Sequence, residues 1–348
     1  MKKPQRICNL TIFALVLFFI VSNTRGQNIR IDDEKTSMTF TGAVSEEIEP
    51  SAVAVIGNGK YLLVADDKTQ NLFVVEAETG KIIKPLTVPG FQIDKPKWEA
   101  MANDGEFFYL IGSHAVKLGE DTPAKTAKKL SERSHFFRFR LNGVGGDATA
   151  IIIDSALELD VTDSLKKLKL YDSDPNKNKV KIEGLAIRTN AGNKKVLIFG
   201  LREPHDLMEV YSAEIPSTPN AGEKLVLNPY FSFEAGKIGI EPFRISSIEY
   251  IPKWKGFFIL TSTEDGKNLF YGNALWYVSD ETLKTSLPTK PITPKIVWLF
   301  AVTMKAEGLC ILPDATDEKL RLALVYDNDV KDTKQLGRMQ FIDLLNLK

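Results

Sequence analysis

Sulfur and histidine are scarce in this chain. Its 348 residues include only two cysteines and three histidines. Two thiols cannot cross-link a scaffold through several disulfides, and they cannot build a zinc site that consists mainly of thiolates. Basic and acidic side chains are equal in number, 45 of each, so the composition lacks the basic excess of a nucleic-acid-binding domain. The 43% of hydrophobic residues is ordinary for a globular protein and excludes a wholly disordered chain.

Long hydrophobic runs are also lacking. The uncharged, largely apolar run at 10–21 has 12 residues, whereas a helix that spans a bilayer needs roughly 20. Because three basic residues precede this run, we predict that 1–26 is a secretory signal peptide, with an uncleaved N-terminal anchor as the alternative. The expected mature protein, 27–348, is one domain that is secreted or periplasmic, without stable insertion in a membrane.

Removal of this segment makes the chain mildly acidic, with 41 basic against 45 acidic side chains. We therefore expect no nucleic-acid partner. Cys8 would leave with the signal peptide, so the mature chain could form no internal disulfide. The remaining Cys310 lies in an apolar segment that predicts a buried strand.

Short runs of branched and aromatic residues, separated by Gly, Asn and Asp turns, dominate the rest of the chain and predict an all-β fold. A small-residue strand, a bulky strand and an aromatic-rich strand recur in this order five times. The five small-residue strands are expected at 51–55, 99–102, 183–187, 247–251 and 307–311. The best helix candidate is at 161–171.

Units of this kind at this spacing predict a β-propeller, in which sheets stack radially so that each sheet has both faces buried. Five blades are visible. The spare strand at 38–44 is expected to close the ring as the outer strand of the last blade, which removes two open edges. A six-bladed ring with a degenerate blade at 157–181 is the main alternative, and a β-sandwich pair is a further one.

Acidic residues recur in the predicted inner strands, which line the central channel of a propeller. They are Glu99, Glu183, Glu249 and Glu307. The second strand of each blade runs antiparallel to the first, so its polar end is expected beside them, including Asp66, Asp67, His114, Arg202 and Asp327. The pattern therefore predicts one polar mouth at one end of the channel.

Converging carboxylates need partners, because they cannot all stay ionised otherwise. One possibility is compensation by basic residues, for which the candidates are Arg202, Arg244, Arg133 and Lys68. The other is a hard cation, and calcium fits an oxygen-rich exported site best, with Glu99, Glu183, Glu249, Glu307 and Asp327 as ligands. A third possibility is purely structural: the glutamates would bind backbone N–H groups of neighbouring blades.

Candidates for chemistry lie at the same mouth. We expect His114, Glu183 and Arg202 as catalytic residues if the protein is an enzyme, and Asp66, Asp67, Arg133 and Arg244 as contacts for a ligand. The insertion at 117–133 is expected to be a solvated loop or a flap over the mouth. The well-known hydrolase and nucleotide-binding motifs are lacking, so those classes have no support.

The same residues resemble a bacterial family known as the domain of unknown function DUF3616. The resemblance covers about 50–330, and each short motif in it would be weak alone. It is carried by Tyr61–Asp67, Trp98–Met101, Ile111–His114, Ser131–Phe139, Ile182–Ala186, Gly200–Arg202, Arg244, Ile248–Glu249 and Ala306–Leu309. It departs from the family pattern at Ala100 and Ser247, and the second departure removes one possible cation ligand. The resemblance implies a propeller related to phytase-like and esterase-like propellers, without an established activity.

Three hypotheses for function follow. The first is an exported propeller whose acid-rich mouth binds a cation, a small anionic ligand or both. The second is a calcium-dependent hydrolase of ester or phosphoester bonds. The third is a scaffold for protein interactions that uses the loops at the rim. The fold does not choose among them, because function is a property of the site.

Overall fold

The computed structural model describes fourteen segments of the chain. They are residues 28–42, 48–90, 96–116, 121–158, 161–170, 180–190, 192–203, 207–216, 224–238, 241–264, 270–286, 290–300, 304–327 and 337–347. The predicted signal peptide lies outside these residues. None of the helices in the described segments is long and apolar enough to cross a membrane.

The protein is a five-bladed β-propeller. Two strands precede the blades, β1 (Asn28–Glu34) and β2 (Met38–Thr39). Blade 1 contains β3 (Pro50–Ile56), β4 (Tyr61–Asp66), β5 (Asn71–Glu76) and β6 (Ile82–Thr87). Blade 2 contains β7 (Trp98–Asn103), β8 (Phe108–Gly112), β9 (Phe136–Asn142) and β10 (Ala150–Glu158). Blade 3 contains β11 (Lys181–Thr189), β12 (Lys195–Glu203), β13 (Met208–Glu214) and β14 (Asn228–Phe233).

The chain then forms a two-stranded ribbon and the last two blades. The ribbon contains β15 (Lys237–Ile238) and β16 (Glu241–Pro242). Blade 4 contains β17 (Arg244–Ile251), β18 (Gly256–Glu264), β19 (Phe270–Ser279) and β20 (Lys295–Phe300). Blade 5 contains β21 (Lys305–Ile311), β22 (Lys319–Asp327) and β23 (Arg338–Leu347), and β1 is its outer strand. All pairs within the blades are antiparallel, and the inner strands contact one another in the closed order β3, β7, β11, β17, β21.

Five hydrophobic clusters hold the ring together, and each lies between two neighbouring blades. Trp98 and Phe137 of blade 2 pack on Ala52 and Leu72 of blade 1, for example. Four equivalent clusters fill the other junctions, including the one that joins blade 5 to blade 1. Because burial of apolar area drives folding, the blades stabilise one another, whereas a single isolated sheet would leave both faces in water.

The ring is closed by a strand from the N-terminal end, as the sequence predicts, but the strand is a different one. The described part of the predicted segment 38–44 contributes β2, which pairs with the first residues of β23, and an isolated bridge from Thr41 to Lys81. β1 instead pairs along most of β23, from Asn28 with Leu347 to Glu34 with Ile342. Ile29 of β1 is buried in the cluster between blades 4 and 5. β1 was not predicted from the sequence, because polar residues alternate along it and no hydrophobic run marks it. Such alternation suits an edge strand with one exposed face.

In the described segments, three short α-helices lie outside the blades. α1 (Pro123–Arg133) occupies most of the insertion for which we predicted a solvated loop or flap, so the loop part of that prediction is wrong for the described residues 121–133. Leu130 and Thr126 are its buried residues. α2 (Thr162–Lys167) lies within the predicted helix, and α3 (Asp280–Thr285) follows β19. The described part of 157–181 holds the end of β10 and α2, which are not a sixth blade.

Candidate functional site

Each inner strand contains one residue that its neighbouring strand skips. The paired register passes over one position near the start of β3, β7, β11, β17 and β21. The skipped residues are Ser51, Glu99, Glu183, Ser246 and Glu307. Such a bulge redirects a side chain away from the regular alternation of a strand. A tier of three carboxyl and two hydroxyl side chains, all buried, therefore surrounds one end of the channel.

Glu249 is not part of this tier, so the prediction that four glutamates share one end is wrong for this residue. It pairs with Phe258 near the hairpin that ends β17, and the bulged residue of that strand is Ser246. Strand residues rise about 3.3 Å each, which places Glu249 roughly 10 Å further along the channel. The short stretch 247–251 resembles the other inner strands when it is shifted by three residues. For this reason the sequence prediction equated Glu249, and not Ser246, with the glutamates of the other blades.

A second, basic tier lies two residues before the first and therefore nearer to the mouth. It consists of four basic residues, Lys97, Lys181, Arg244 and Lys305, and one acid, Glu49. The three lysines were missed, although the spacing Lys-x-Glu occurs in three of the five inner strands and Arg-x-Ser in a fourth. Residues two apart lie on the same face of a strand, so this repeated spacing was the available signal. The side chains of Lys97 and Lys181 are 29% and 24% exposed, whereas that of Glu183 is 1% exposed.

Arg202 is the centre of the buried charges. Its Nη1 donates to Glu183 Oε2 at 3.0 Å, and its Nη2 donates to Glu264 Oε1 at 2.6 Å. Nη1 also lies 3.2 Å from Ser246 Oγ and 3.0 Å from Ser262 Oγ. Arg202 is 2% exposed, so its guanidinium binds the wall of the channel and does not reach the open mouth.

Further ion pairs extend from this centre across the blades. Asp67 pairs with Lys97, Lys181 bridges Glu99 at 4.0 Å and Glu183, and Lys305 bridges Glu264 at 3.3 Å and Glu307 at 2.6 Å. We refer to Asp67, Lys97, Glu99, Lys181, Glu183, Arg202, Glu264, Lys305 and Glu307 as the axial ion-pair network. Its pairs cross every junction from blade 1 to blade 5. The residues therefore join neighbouring blades, in addition to any role toward a ligand.

The carboxyl groups of the network differ in protonation. Burial raises the pKa of Glu99 to about 8 against the opposing effect of Lys181, and burial raises the pKa of Glu307 to about 7. Arg202 and two lysines hold the pKa of Glu264 at about 2, although burial opposes them. The same cations lower the pKa of Glu183. Near neutral pH, Glu99 is mainly a neutral acid beside the ionised Glu183, which is the arrangement that separates a proton donor from an acceptor.

The predicted catalytic histidine is buried behind the mouth. His114 has no exposed surface, and its Nδ1 lies 2.9 Å from the Gly112 carbonyl oxygen. Its backbone N–H donates to the Arg133 carbonyl, and the Arg133 Nη1 donates to the Ala115 carbonyl at 3.0 Å. The end of α1 and the end of β8 are thus bound to each other through His114 and Arg133. The structure brings both residues to the predicted end of the channel, in positions that support the loop.

The predicted aspartates also lie at this end. Asp66 is buried, and its Oδ1 accepts the backbone N–H groups of Glu49 and Lys68, which fixes the turn after β4. Asp327 is buried and pairs in register with Lys305. Arg244 Nη1 lies 3.5 Å from the Arg202 carbonyl oxygen. Of the residues predicted for the site, only Glu249 is therefore placed elsewhere in the channel.

The donor set suits basic residues better than a metal ion. No group of three or more His, Cys, Asp or Glu side chains among the described residues has the geometry to hold a metal. Lys181, Arg202 and Lys305 lie between the carboxylates and pair with them. Basic residues are therefore the partners of these carboxylates in the structure. Arg202 was predicted in this role, whereas Lys181 and Lys305 were not. Calcium at this site stays a prediction.

Comparison with known proteins gives similarities of fold only. No protein-family model matches the chain, and no curated protein matches it in sequence. An exo-beta-1,3-galactanase from Clostridium thermocellum has a TM-score of 0.48 and 9% identity, with 90% of this chain and 61% of that chain covered. A protein of unknown function from Dyadobacter fermentans has a TM-score of 0.42 and 8% identity, covering 92% and 99%. Hydrazine synthase from Kuenenia stuttgartiensis has a TM-score of 0.36 and 9% identity, covering 88% and 65%, so this chain spans just under two thirds of it.

Proposed function

We propose that this protein is a ligand-binding propeller whose mouth holds a small anion, such as a carboxylate or a phosphate. The observation that carries the proposal is the order of the two tiers. Lys97, Lys181 and Arg244 of the basic tier are partly exposed, whereas Lys305 and the carboxyl groups of Glu99, Glu183 and Glu307 are buried. A ligand that enters the mouth meets ammonium and guanidinium groups first, and these are the side chains that bind oxyanions best.

The protonation of the deeper tier supports the same conclusion. Glu99 lies behind Lys181, and with its pKa raised to about 8 it is mainly uncharged at neutral pH. A neutral carboxyl can donate a hydrogen bond to an anion, whereas a carboxylate would repel it. Asp67 and Glu183 keep Lys97 and Lys181 in place through ion pairs. The lysines are therefore held ready for a ligand, which reduces the entropy lost on binding.

Replacement of Lys181 tests this site directly. We expect Lys181→Met to weaken binding of citrate or inorganic phosphate by about tenfold, because a charge-assisted hydrogen bond of ~1.5 kcal/mol is lost. Isothermal titration calorimetry on the wild type and the variant measures the change. Glu183 keeps its pair with Arg202 in the variant, so the fold is expected to persist.

Lys194→Met is the matched control, because Lys194 pairs with Glu214 at an exposed position away from the channel and its loss should change the affinity less than twofold. Equal losses in the two variants would mean that binding is non-specific. Titration with calcium chloride tests whether the mouth binds a cation, which is the other ligand predicted from the sequence. A wild type that binds calcium but neither anion would overturn the proposal.

A second candidate is hydrolysis of an ester or phosphoester, and the protonated Glu99 is the observation that favours it. An acid with a pKa of about 8 can protonate a leaving-group oxygen near neutral pH. In that case Glu99→Gln abolishes turnover of ester and phosphoester substrates while circular dichroism shows an intact fold. A wild type that is inert across such a panel would leave binding as the function.

A further inference from the structure

A cavity of about 500 Å³ lies in the half of the channel opposite the ion-pair network. The late residues of β3, β7 and β21 form its wall, and the turn between β9 and β10 forms part of its rim. The wall combines polar groups with apolar side chains, which include Val55, Met101, Phe108 and Ile311. Glu249 of β17 is the acidic residue that lines the interior. This is a separate site from the mouth, because it lies about 10 Å further along the inner strands.

The register of the inner strands shows why there is room here. Glu249 lies three residues after the bulged position of its strand. The four equivalent residues of the other blades are Ala54, Ala102, Ala186 and Cys310. Each of these four is small, so one carboxyl group lies in a tier that is otherwise free of polar side chains apart from a thiol.

Glu249 differs from the network glutamates because the described residues provide no cation for it. No ion pair or hydrogen bond to its carboxyl is found among them, whereas Glu99, Glu183 and Glu307 each have a lysine or arginine. Burial alone raises the pKa of Glu249 to about 8. The facing Cys310 thiol has its pKa raised by burial and stays neutral.

The charged groups at the rim do not replace a partner. Glu106 and Arg140 are exposed, and the Arg140 guanidinium lies 5.1 Å from the centre of the Phe107 ring. One acid and one base at the rim give it no net charge. The interior therefore combines apolar side chains with a partly buried acid for which the described residues supply no counter-ion. A ligand that brings the opposite charge would reduce the cost of ionising Glu249 there.

We propose that this cavity binds a small organic cation, with the ammonium group of the ligand paired to Glu249 and its hydrocarbon part against Val55, Met101 and Ile311. Neither a metal ion nor an anion fits as well. A metal needs several oxygen ligands, whereas the interior offers one carboxyl group. An anion would face Glu249 with no interior cation to hold it.

Hexylammonium, hexanol and hexanoate are suitable probes, because they share one chain length and differ in the charge of the head group. We expect hexylammonium to bind at least tenfold more tightly than the other two at pH 9, measured by calorimetry or by ligand-observed NMR. Glu249→Gln keeps the size of the side chain and should reduce the affinity for hexylammonium at least tenfold. Glu214→Gln, at an exposed position on β13, is the control and should change it less than twofold.

The dependence on pH gives a second measurement. Glu249 must lose its proton to pair with an ammonium, while the probe itself stays charged up to about pH 10. Affinity for hexylammonium should therefore rise about tenfold between pH 6.5 and pH 9 in the wild type and stay constant in Glu249→Gln. Equal binding of hexanol, unchanged affinity in Glu249→Gln, or no binding of hexylammonium to the wild type would each overturn the proposal. The mouth plays no part in these results, so they are independent of the proposed anion site.

Discussion

Arg202→Met is expected to lower the free energy of unfolding by about 3–5 kcal/mol, because it leaves buried carboxylates without their main counter-charge. Glu183 and Glu264 both bind the Arg202 guanidinium, and both depend on it for a lowered pKa. Methionine fills much of the same volume, so the loss of charge dominates the effect. Urea unfolding monitored by circular dichroism at pH 7 measures the difference.

Arg321→Met provides the matched control. Arg321 binds Asp343 through two hydrogen bonds of 2.6 and 3.0 Å, but its side chain is 35% exposed. Asp343 is buried, but it keeps a second cation, Lys319 at 3.4 Å. Because Arg321 itself is partly exposed, a smaller loss than in Arg202→Met is expected there. The combined variant Arg202→Met, Glu183→Gln, Glu264→Gln should recover at least half of the stability that Arg202→Met loses. A loss below about 1 kcal/mol in Arg202→Met, or no recovery in the combined variant, would contradict the argument from charge.

The architecture could be predicted from local patterns, because each blade repeats the same three runs of small, bulky and aromatic residues. β7 and β21, for example, begin and end within two residues of the predicted strands 99–102 and 307–311. The exceptions have physical causes. β1 alternates polar and apolar residues at an exposed edge, and α1 is short and rich in lysine, so neither shows a strong hydrophobic pattern.

The site could be predicted only in part, because it depends on register and not on composition. Glu99, Glu183 and Glu307 were found since each stands at the start of its strand. Glu249 was placed wrongly because a bulge changes which residue faces the channel, and short apolar strands look alike after a shift of three residues. The lysines two residues earlier would have revealed the correct register at Ser246.

Ion pairs between residues that are distant in the sequence could not be predicted from the sequence alone. The bond from Arg202 to Glu264 joins two blades, and only the closed ring brings β12 beside β18. The same holds for the protonation of Glu99, which depends on burial from all sides. The types of residue predicted for the mouth were therefore informative, while their partners and their charges required the structure.

Glu99→Gln is expected to make the stability of the protein less sensitive to alkaline pH. The pKa of Glu99 rises from 4.5 in the unfolded chain to about 8 in the fold. A raised pKa means that the folded protein binds the proton more tightly, so this stabilisation is complete below pH 4.5 and is lost as the pH rises through 8. At 1.36 kcal/mol per pKa unit, this shift of about 3.5 units corresponds to a full loss of about 5 kcal/mol.

Urea unfolding at pH 5 and pH 9 measures this effect as the difference between wild type and variant. Glutamine has the shape of the neutral acid and no titration, so Glu99→Gln should match the wild type at pH 5 and exceed its stability at pH 9. Glu214→Gln, which changes an exposed ion pair, should shift both values equally. The same variant connects stability to ligand binding: citrate affinity of the wild type should fall above pH 8, where Glu99 becomes an anion behind Lys181, and should stay constant in Glu99→Gln. Equal pH profiles in wild type and variant would mean that Glu99 is ionised throughout, and the mouth would then lack the neutral donor on which anion binding there depends.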